Sequence, residues 1–254
     1  MCIRDRSIIG SGALARSLFS AIRQEESISC LGVYGRNPED AVFFEGFWKT
    51  DFQKLLEADI LLLALPDQAL AAHFDLLEQY SGLLAHCSGA TSLLNREHHV
   101  SAVFYPLNSF SKGKVTSLRD TPIFIEASTI EGLTQIKKLA LALSNRVHKI
   151  DSAQRLALHL AAVISQNFTN HLFAQTQQWC AQNQIDFNWL KPMLTAKFHE
   201  AFEISASTIQ SGPAIRGDQK TLNQHRELLK GHVSLLEVYD ALTHSIQVFH
   251  EKKL

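Results

Sequence analysis

The segment Ile8-Ile9-Gly10-Ser11-Gly12-Ala13-Leu14-Ala15 constrains this chain more than any other. A short apolar run leads into G-x-G-x-x-A and then into a helix-forming stretch, the order of a strand, a tight turn and a helix. In a dinucleotide-binding turn the first glycine permits the bend. The second lets backbone approach a pyrophosphate, and the small third residue lets helix pack on strand. The free N–H groups at the helix start then face the phosphates. Gly10, Ser11, Gly12, Ala13 and Leu14 are therefore the candidate cradle, the alternative being a glycine-rich turn that binds nothing.

A second strand, Leu31-Gly32-Val33-Tyr34, ends about 20 residues beyond the glycines, where a ribose-reading residue belongs. An acid at that point bonds the ribose hydroxyls of NAD. This chain reads Gly35-Arg36-Asn37-Pro38 instead. A guanidinium suits a 2′-phosphate through paired, charge-assisted hydrogen bonds. Arg36 and Asn37 thus point to NADP, against the alternative of a solvated loop cation.

The 254 residues suffice for one large or two modest domains, and 46% hydrophobic with 19% charged residues fits a globular enzyme with a real core. A net charge of −1 and the lack of a basic run argue against nucleic acid. The longest apolar run, Ile60 to Leu65, is too short to span a bilayer, and no signal pattern opens the chain, so the expected location is cytoplasmic without membrane attachment. Cys2, Cys30, Cys87 and Cys180 form no C-x-x-C pair. The twelve histidines show no H-x-x-x-H spacing, and the adjacent His98-His99 would point apart, so no metal is expected. A buried first strand should be apolar throughout, yet Met1-Cys2-Ile3-Arg4-Asp5-Arg6-Ser7 is charged. Residues up to about Arg6 are expected to be foreign to the fold, an adapter-like scar that truncates the first strand.

Strands and helices alternate through residues 1–150. Helices are expected at Ala13 to Gln24, Asp51 to Glu57, Gln68 to Tyr80 and Ile130 to Leu143. Strands are expected at Asp59 to Leu65, Leu83 to His86, Ser101 to Tyr105, Pro122 to Glu126 and Arg146 to Ile150. This is the pattern of an α/β, doubly wound, mostly parallel sheet of Rossmann type, whose ligands sit at the carboxyl ends of strands. Leu65-Pro66, Ser88 and Tyr105-Pro106 fall there. Residues 151–254 read as all helix: Ser152 to Gln182 as one long helix, then Asn188 to Ile209, Gln219 to Lys230 and His232 to His250. These helices are apolar on more than one side, which predicts a helical domain that also packs on a partner chain as a two-fold homodimer.

The glycine turn, Ala58 to Asp67, His86-Cys87-Ser88-Gly89, Arg155-x-x-x-His159, Asn167, and Gly212-Pro213-Ala214-Ile215-Arg216-Gly217-Asp218 with His225 resemble a known family. It consists of Rossmann-like oxidoreductases whose C-terminal half is a domain of unknown function. Its wider relatives are deazaflavin-linked NADP reductases, pyrroline-5-carboxylate reductases and 6-phosphogluconate-type dehydrogenases. The resemblance runs from about Ser7 to the C-terminus. It implies an NADP-binding fold with a helical dimerisation domain, and names no substrate. The family often has His-Pro where this chain has Tyr105-Pro106. A tyrosine can hydrogen-bond but does not titrate near neutrality, so Tyr105 is given no acid role.

Hydride transfer to a C=O or C=N group needs a proton donor. His159 is the first candidate, since an imidazole titrates near neutrality. At about 100° per residue, Ser152, Arg155, His159, Gln166 and Asn170 fall within roughly 60° on one helical face. In the 6-phosphogluconate-type relatives the equivalent helix carries the catalytic side chain. Arg216 could clamp a carboxylate, Asp218 could hold Arg216 or cap a helix, and His225 could join them. Ser88 is placed to bond a nicotinamide amide or substrate. The expected function is an NADP-dependent oxidoreductase of small polar substrates. The alternative is a non-catalytic NADP-binding sensor or scaffold, because the long helix lacks the lysine that related dehydrogenases often use.

Overall fold

The structure, a computed structural model, describes residues 5–77, 80–94 and 100–251. The chain falls into two compact units, 1–165 and 166–254.

The first unit is built on seven strands, β1 (Asp5–Ile9), β2 (Ser29–Tyr34), β3 (Ile60–Leu63), β4 (Leu83–His86), β5 (Ser101–Pro106), β6 (Ile123–Ala127) and β7 (Val147–Lys149), in the order β2-β1-β3-β4-β5-β6-β7. The first five are parallel, β6 runs against β5, and β7 is parallel to β6. The helices are α1 (Ala13–Gln24), α2 (Asp67–Leu76), α3 (Ile130–Leu143) and α4 (Ser152–Ala162). The all-apolar β3 is buried along its length, as a sheet covered on both faces requires. One core joins Ile8, Leu18, Phe44, Leu62, Phe104 and Ile136; the other joins Ile9, Leu61, Leu63, Phe74 and Leu84. Alternate residues of β1 and β3 thus serve opposite faces.

Several expectations are corrected. Asp5 and Arg6 belong to β1, with Arg6 only 2% exposed, rather than lying outside the fold. Met1 to Arg4, and His98-His99, lie outside the described residues. The stretch from Asp51 is a 3-10 turn over Phe52–Glu57, capped by the Asp51 side chain. Helix α2 stops at Leu76, and Tyr80 instead sends its hydroxyl to the Ala58 carbonyl at 2.8 Å. The long helix from Ser152 is not one α-helix. It passes through a π-turn, Val163–Phe168, before α5 (Thr169–Gln182). The compact units part within that turn, one helix later than the 150/151 boundary expected from sequence.

The second unit continues with α6 (Lys191–Glu203), α7 (Pro213–Arg216), α8 (Gln219–Leu228) and α9 (Val233–Glu251). Helix α6 ends before Ile209 because Ile204 turns extended and the Ser205–Thr208 hydroxyls bond locally. No strand occurs among its described residues. No described helix is long and apolar enough to cross a membrane.

Candidate active site

The chain turns from β1 to β2 on one side of the sheet and to β3 on the other, so the strand order reverses beside β1. A pocket of about 270 Å³ opens at the carboxyl ends of these three strands. Ligands of doubly wound sheets bind at this switch point. Gly10, Ser11, Gly12, Arg36, Asn37, Leu65 and Pro66, all candidates from sequence, line it. Ala13 and Leu14 open α1 behind them. Gly10 has φ +125°, and a Cβ there would lie 2.2 Å from the Ala64 carbonyl oxygen, so only glycine fits. A Cβ on Gly12 would meet nothing within 4 Å. Gly12 is also the N-cap of α1, with no side chain bonded to the cap and no acid in the first turn. An open, uncapped helix start beside a pocket suits an anionic group.

Gly35 shows why no acid ends β2. A Cβ there would sit 2.7 Å from Trp48 and 2.8 Å from Ser11. The next residue, Arg36, is exposed and has no ion pair among the described residues. The Asn37 side chain accepts the Glu39 N–H at 3.2 Å and so caps a short helix. Sequence reasoning missed a ring that stiffens the turn. Ser11 Oγ donates to Asp40 at 2.6 Å, Arg16 bonds the other Asp40 oxygen at 2.6 Å, and Arg16 Nε returns to the Ser11 carbonyl at 3.2 Å. His73, also in the lining, carried no sequence signal. A larger cavity of about 380 Å³, between α1, residues 115–119 and the end of α3, holds none of the candidates.

The carboxyl ends of β4 and β5 carry a second constellation. Pairing of β5 with β6 sets Val103 opposite Glu126 and Tyr105 opposite Phe124. Directly opposed and alternate residues share a face, so all four side chains face one way. Helix α4 lies on that face. Arg155, 1% exposed, pairs with Glu126 and donates to the Thr91 carbonyl at 2.6 Å. The Ser152 N–H and hydroxyl also donate to Glu126, at 3.1 and 2.8 Å. From Arg155 to His159 is one helical turn, about 6 Å; from Val103 to Tyr105 is two strand residues, about 6.6 Å. The match brings His159 Nδ1 to 3.2 Å from the Tyr105 hydroxyl. Their rings meet edge to face, with centroids 6.2 Å apart. Gly89 presses on this contact: a Cβ there would lie 2.7 Å from His159 Nδ1 and 2.8 Å from Tyr105 Cζ.

The turn between β4 and this pair is held by His86. Its Nδ1 accepts the Ser88 N–H at 3.2 Å, which leaves Nε2 to donate to the Ser92 carbonyl at 3.2 Å. Burial, and then the charge of Arg155, push the His86 pKa down to about 4, so the ring is neutral. Ser88 is buried and its Oγ accepts the N–H groups of Ala90 and Thr91 at 3.1 and 2.8 Å. Only its hydroxyl proton remains to give. Asp67, which follows the pocket residue Pro66, lies close enough to act electrostatically on both Tyr105 and His86.

The remaining candidates lie in the second unit. Asp218 caps α8, accepting the Thr221 N–H at 3.1 Å and the Thr221 hydroxyl at 2.7 Å. Those bonds, with Arg216 and His225 nearby, hold its pKa below the usual carboxylate value. Among the described residues it makes no ion pair with Arg216, so the cap reading replaces the clamp-holding one. His225 Nδ1 is 2.9 Å from the Tyr239 hydroxyl. Arg216 ends α7 as an exposed cation between Gly212 and Gly217, both at positive φ. Gln166, Asn167 and Asn170 are exposed; the polar stripe therefore holds as a contact surface only from Ser152 to His159.

Residues 121–246 match the domain of unknown function DUF2520. A provisionally named NADP oxidoreductase from Bacteroides fragilis is 31% identical over 96% of this chain and 98% of its own, with a TM-score of 0.83. A Thermotoga maritima protein is similar at 20% identity over 97% and 99% of the two chains, TM-score 0.75. The fold is shared with a Plasmodium falciparum pyrroline carboxylate reductase with NADP bound, at 10% identity over 97% and 99%, TM-score 0.60. Comparison with curated proteins finds no match.

Proposed function

The chain belongs to the Rossmann-like NADP oxidoreductases that end in the DUF2520 domain, and from that membership we propose an NADPH-dependent reductase of a C=O or C=N group in a small polar substrate. The switch-point pocket carries this reading: Gly10 is closed to any side chain, Gly12 is open, and Gly35-Arg36 stands where an NAD site has an acid, with no acid at either position. Gly10 to Leu14 would hold the pyrophosphate, Arg36 the 2′-phosphate, and Leu65-Pro66 one wall. The bound cofactor supplies a hydride. His159 supplies the proton at the acceptor heteroatom through Nε2, which has no partner among the described residues. The Ser88 hydroxyl proton is available to a carbonyl or amide oxygen. Arg216 is the anchor proposed for an anionic substrate group, and we assign the helical unit to a two-fold homodimer.

NADPH is expected to raise the melting temperature more than NADH at equal concentration, because the tighter ligand stabilises more. Arg36→Asp should narrow or reverse that difference; equal shifts, unchanged in the variant, defeat the role of Arg36. An NADPH oxidation screen over keto acids, imines and a deazaflavin then decides between an enzyme and a sensor. His159→Gln should keep NADPH binding and lose about a hundredfold in turnover. Arg216→Ala should act mainly on KM.

A further inference from the structure

Resting on the reading of His159 as proton donor, we infer that Tyr105 is its positioning residue: the phenol fixes which imidazole nitrogen carries the proton. The geometry leaves the pair little freedom. Tyr105 is 9% exposed at the end of β5, with Phe124 of β6 packed at 6.4 Å on one side and the His159 ring on the other. The Gly89 backbone closes the remaining side so tightly that one added methyl would wedge the two rings apart. The charged groups around the pair are Arg155 on α4, its partner Glu126 on β6, and Asp67 at the start of α2; His86 on β4 is neutral.

Burial raises the Tyr105 pKa above its ordinary value, so the hydroxyl keeps its proton at every pH at which a histidine titrates. Nδ1 of His159 is the one hydrogen-bond partner of this buried hydroxyl among the described residues, so the neutral imidazole that leaves Nδ1 free to accept satisfies the hydroxyl proton, whereas an Nδ1–H tautomer would leave that proton unpaired. The ring proton must then sit on Nε2, the nitrogen left for a substrate. A carboxylate orients a histidine the other way, by accepting from Nδ1–H and storing charge beside it. A phenol orients it without adding charge. When the imidazole gains its second proton, the same hydroxyl turns round and accepts from Nδ1–H, so the contact survives both states.

The test reads the nitrogens directly. Protein labelled with ¹⁵N in the imidazoles, with His159→Gln for assignment, is examined by long-range ¹H–¹⁵N NMR near pH 8. Wild type should show His159 as a single Nε2–H tautomer. Tyr105→Phe keeps the ring and its packing but removes the hydroxyl, and the Nδ1–H form should appear beside the other. Gly89→Ala, which leaves the hydroxyl but separates the rings, should give the same mixture. A tautomer mixture in wild type, or His159 nitrogen shifts unchanged in both variants, overturns the proposal. The turnover of His159→Gln with NADPH, measured separately, bears on the proton-donor reading alone, so the two failures can be told apart.

Discussion

The two units place their large apolar residues in opposite ways. In the sheet unit Ile8, Leu18, Phe44, Leu62 and Phe104 are sealed from solvent. In the helical unit Trp189 is 72% and Phe202 90% exposed, and Met193 and Val233 are also largely uncovered. A parallel sheet with helices on both faces closes its core from its own residues. The helices of the second unit leave such residues uncovered, and the homodimer proposed above would cover them. The first unit thus closes its own core, whereas the second leaves large apolar side chains exposed.

The largest expected effect tests the self-sufficiency of the sheet unit. Arg155→Ala strands Glu126 at the junction of β6 and α4 and should cost about 3–5 kcal/mol, read as a fall in unfolding midpoint. A loss within experimental error would show that the junction does not depend on the ion pair. Next is acid sensitivity. His86 has a folded pKa of about 4 against 6.5 for the free side chain, so below pH 6.5 the unfolded chain takes up a proton that the folded chain refuses. Its contribution is fully present above pH 6.5 and shrinks as pH falls toward 4, by about 3 kcal/mol in all. His86→Gln should flatten that part of the stability–pH curve, and an unaltered slope would contradict a neutral buried ring. For the helical unit, Trp189→Glu should weaken the dimer by about 2 kcal/mol, roughly thirtyfold in Kd, with little change in the monomer. Light scattering that gives a monomer mass for wild type at micromolar concentration would erase the contrast between the units. The smallest effect is at Ser7, whose buried hydroxyl has no partner among the described residues. Ser7→Ala should stabilise the sheet unit by about 1 kcal/mol, checked by denaturant titration.

The switch-point pocket was legible in sequence because backbone demands leave residue-type traces: Gly10 must adopt a positive φ, and Pro66 stands at the N-cap of α2. Arg36 was legible from spacing alone. The Arg155–Glu126 pair was not, since 29 residues separate the partners and only the docking of α4 joins them. The Tyr105–His159 contact is hidden for the same reason, as is the Ser11–Asp40–Arg16 ring. Helical periodicity found the helical stretch from Ser152 to Gln182 but not the π-turn at Val163, because a local extra residue leaves the composition of a helix unchanged. Asp218 read equally well as cap or clamp, and only its bonds to Thr221 choose.

The crowding at Gly35 acts as a ratchet on descent. On the proposed cofactor reading, a change to NAD through an acid at Gly35 is obstructed, because the first atom of any side chain there collides with Trp48 and Ser11. Both must give way before the acid can be tried, and Ser11 is tied to Asp40 at the phosphate turn itself. On that reading the packing of Trp48 and Ser11, rather than any contact with the nucleotide, keeps an acid from Gly35.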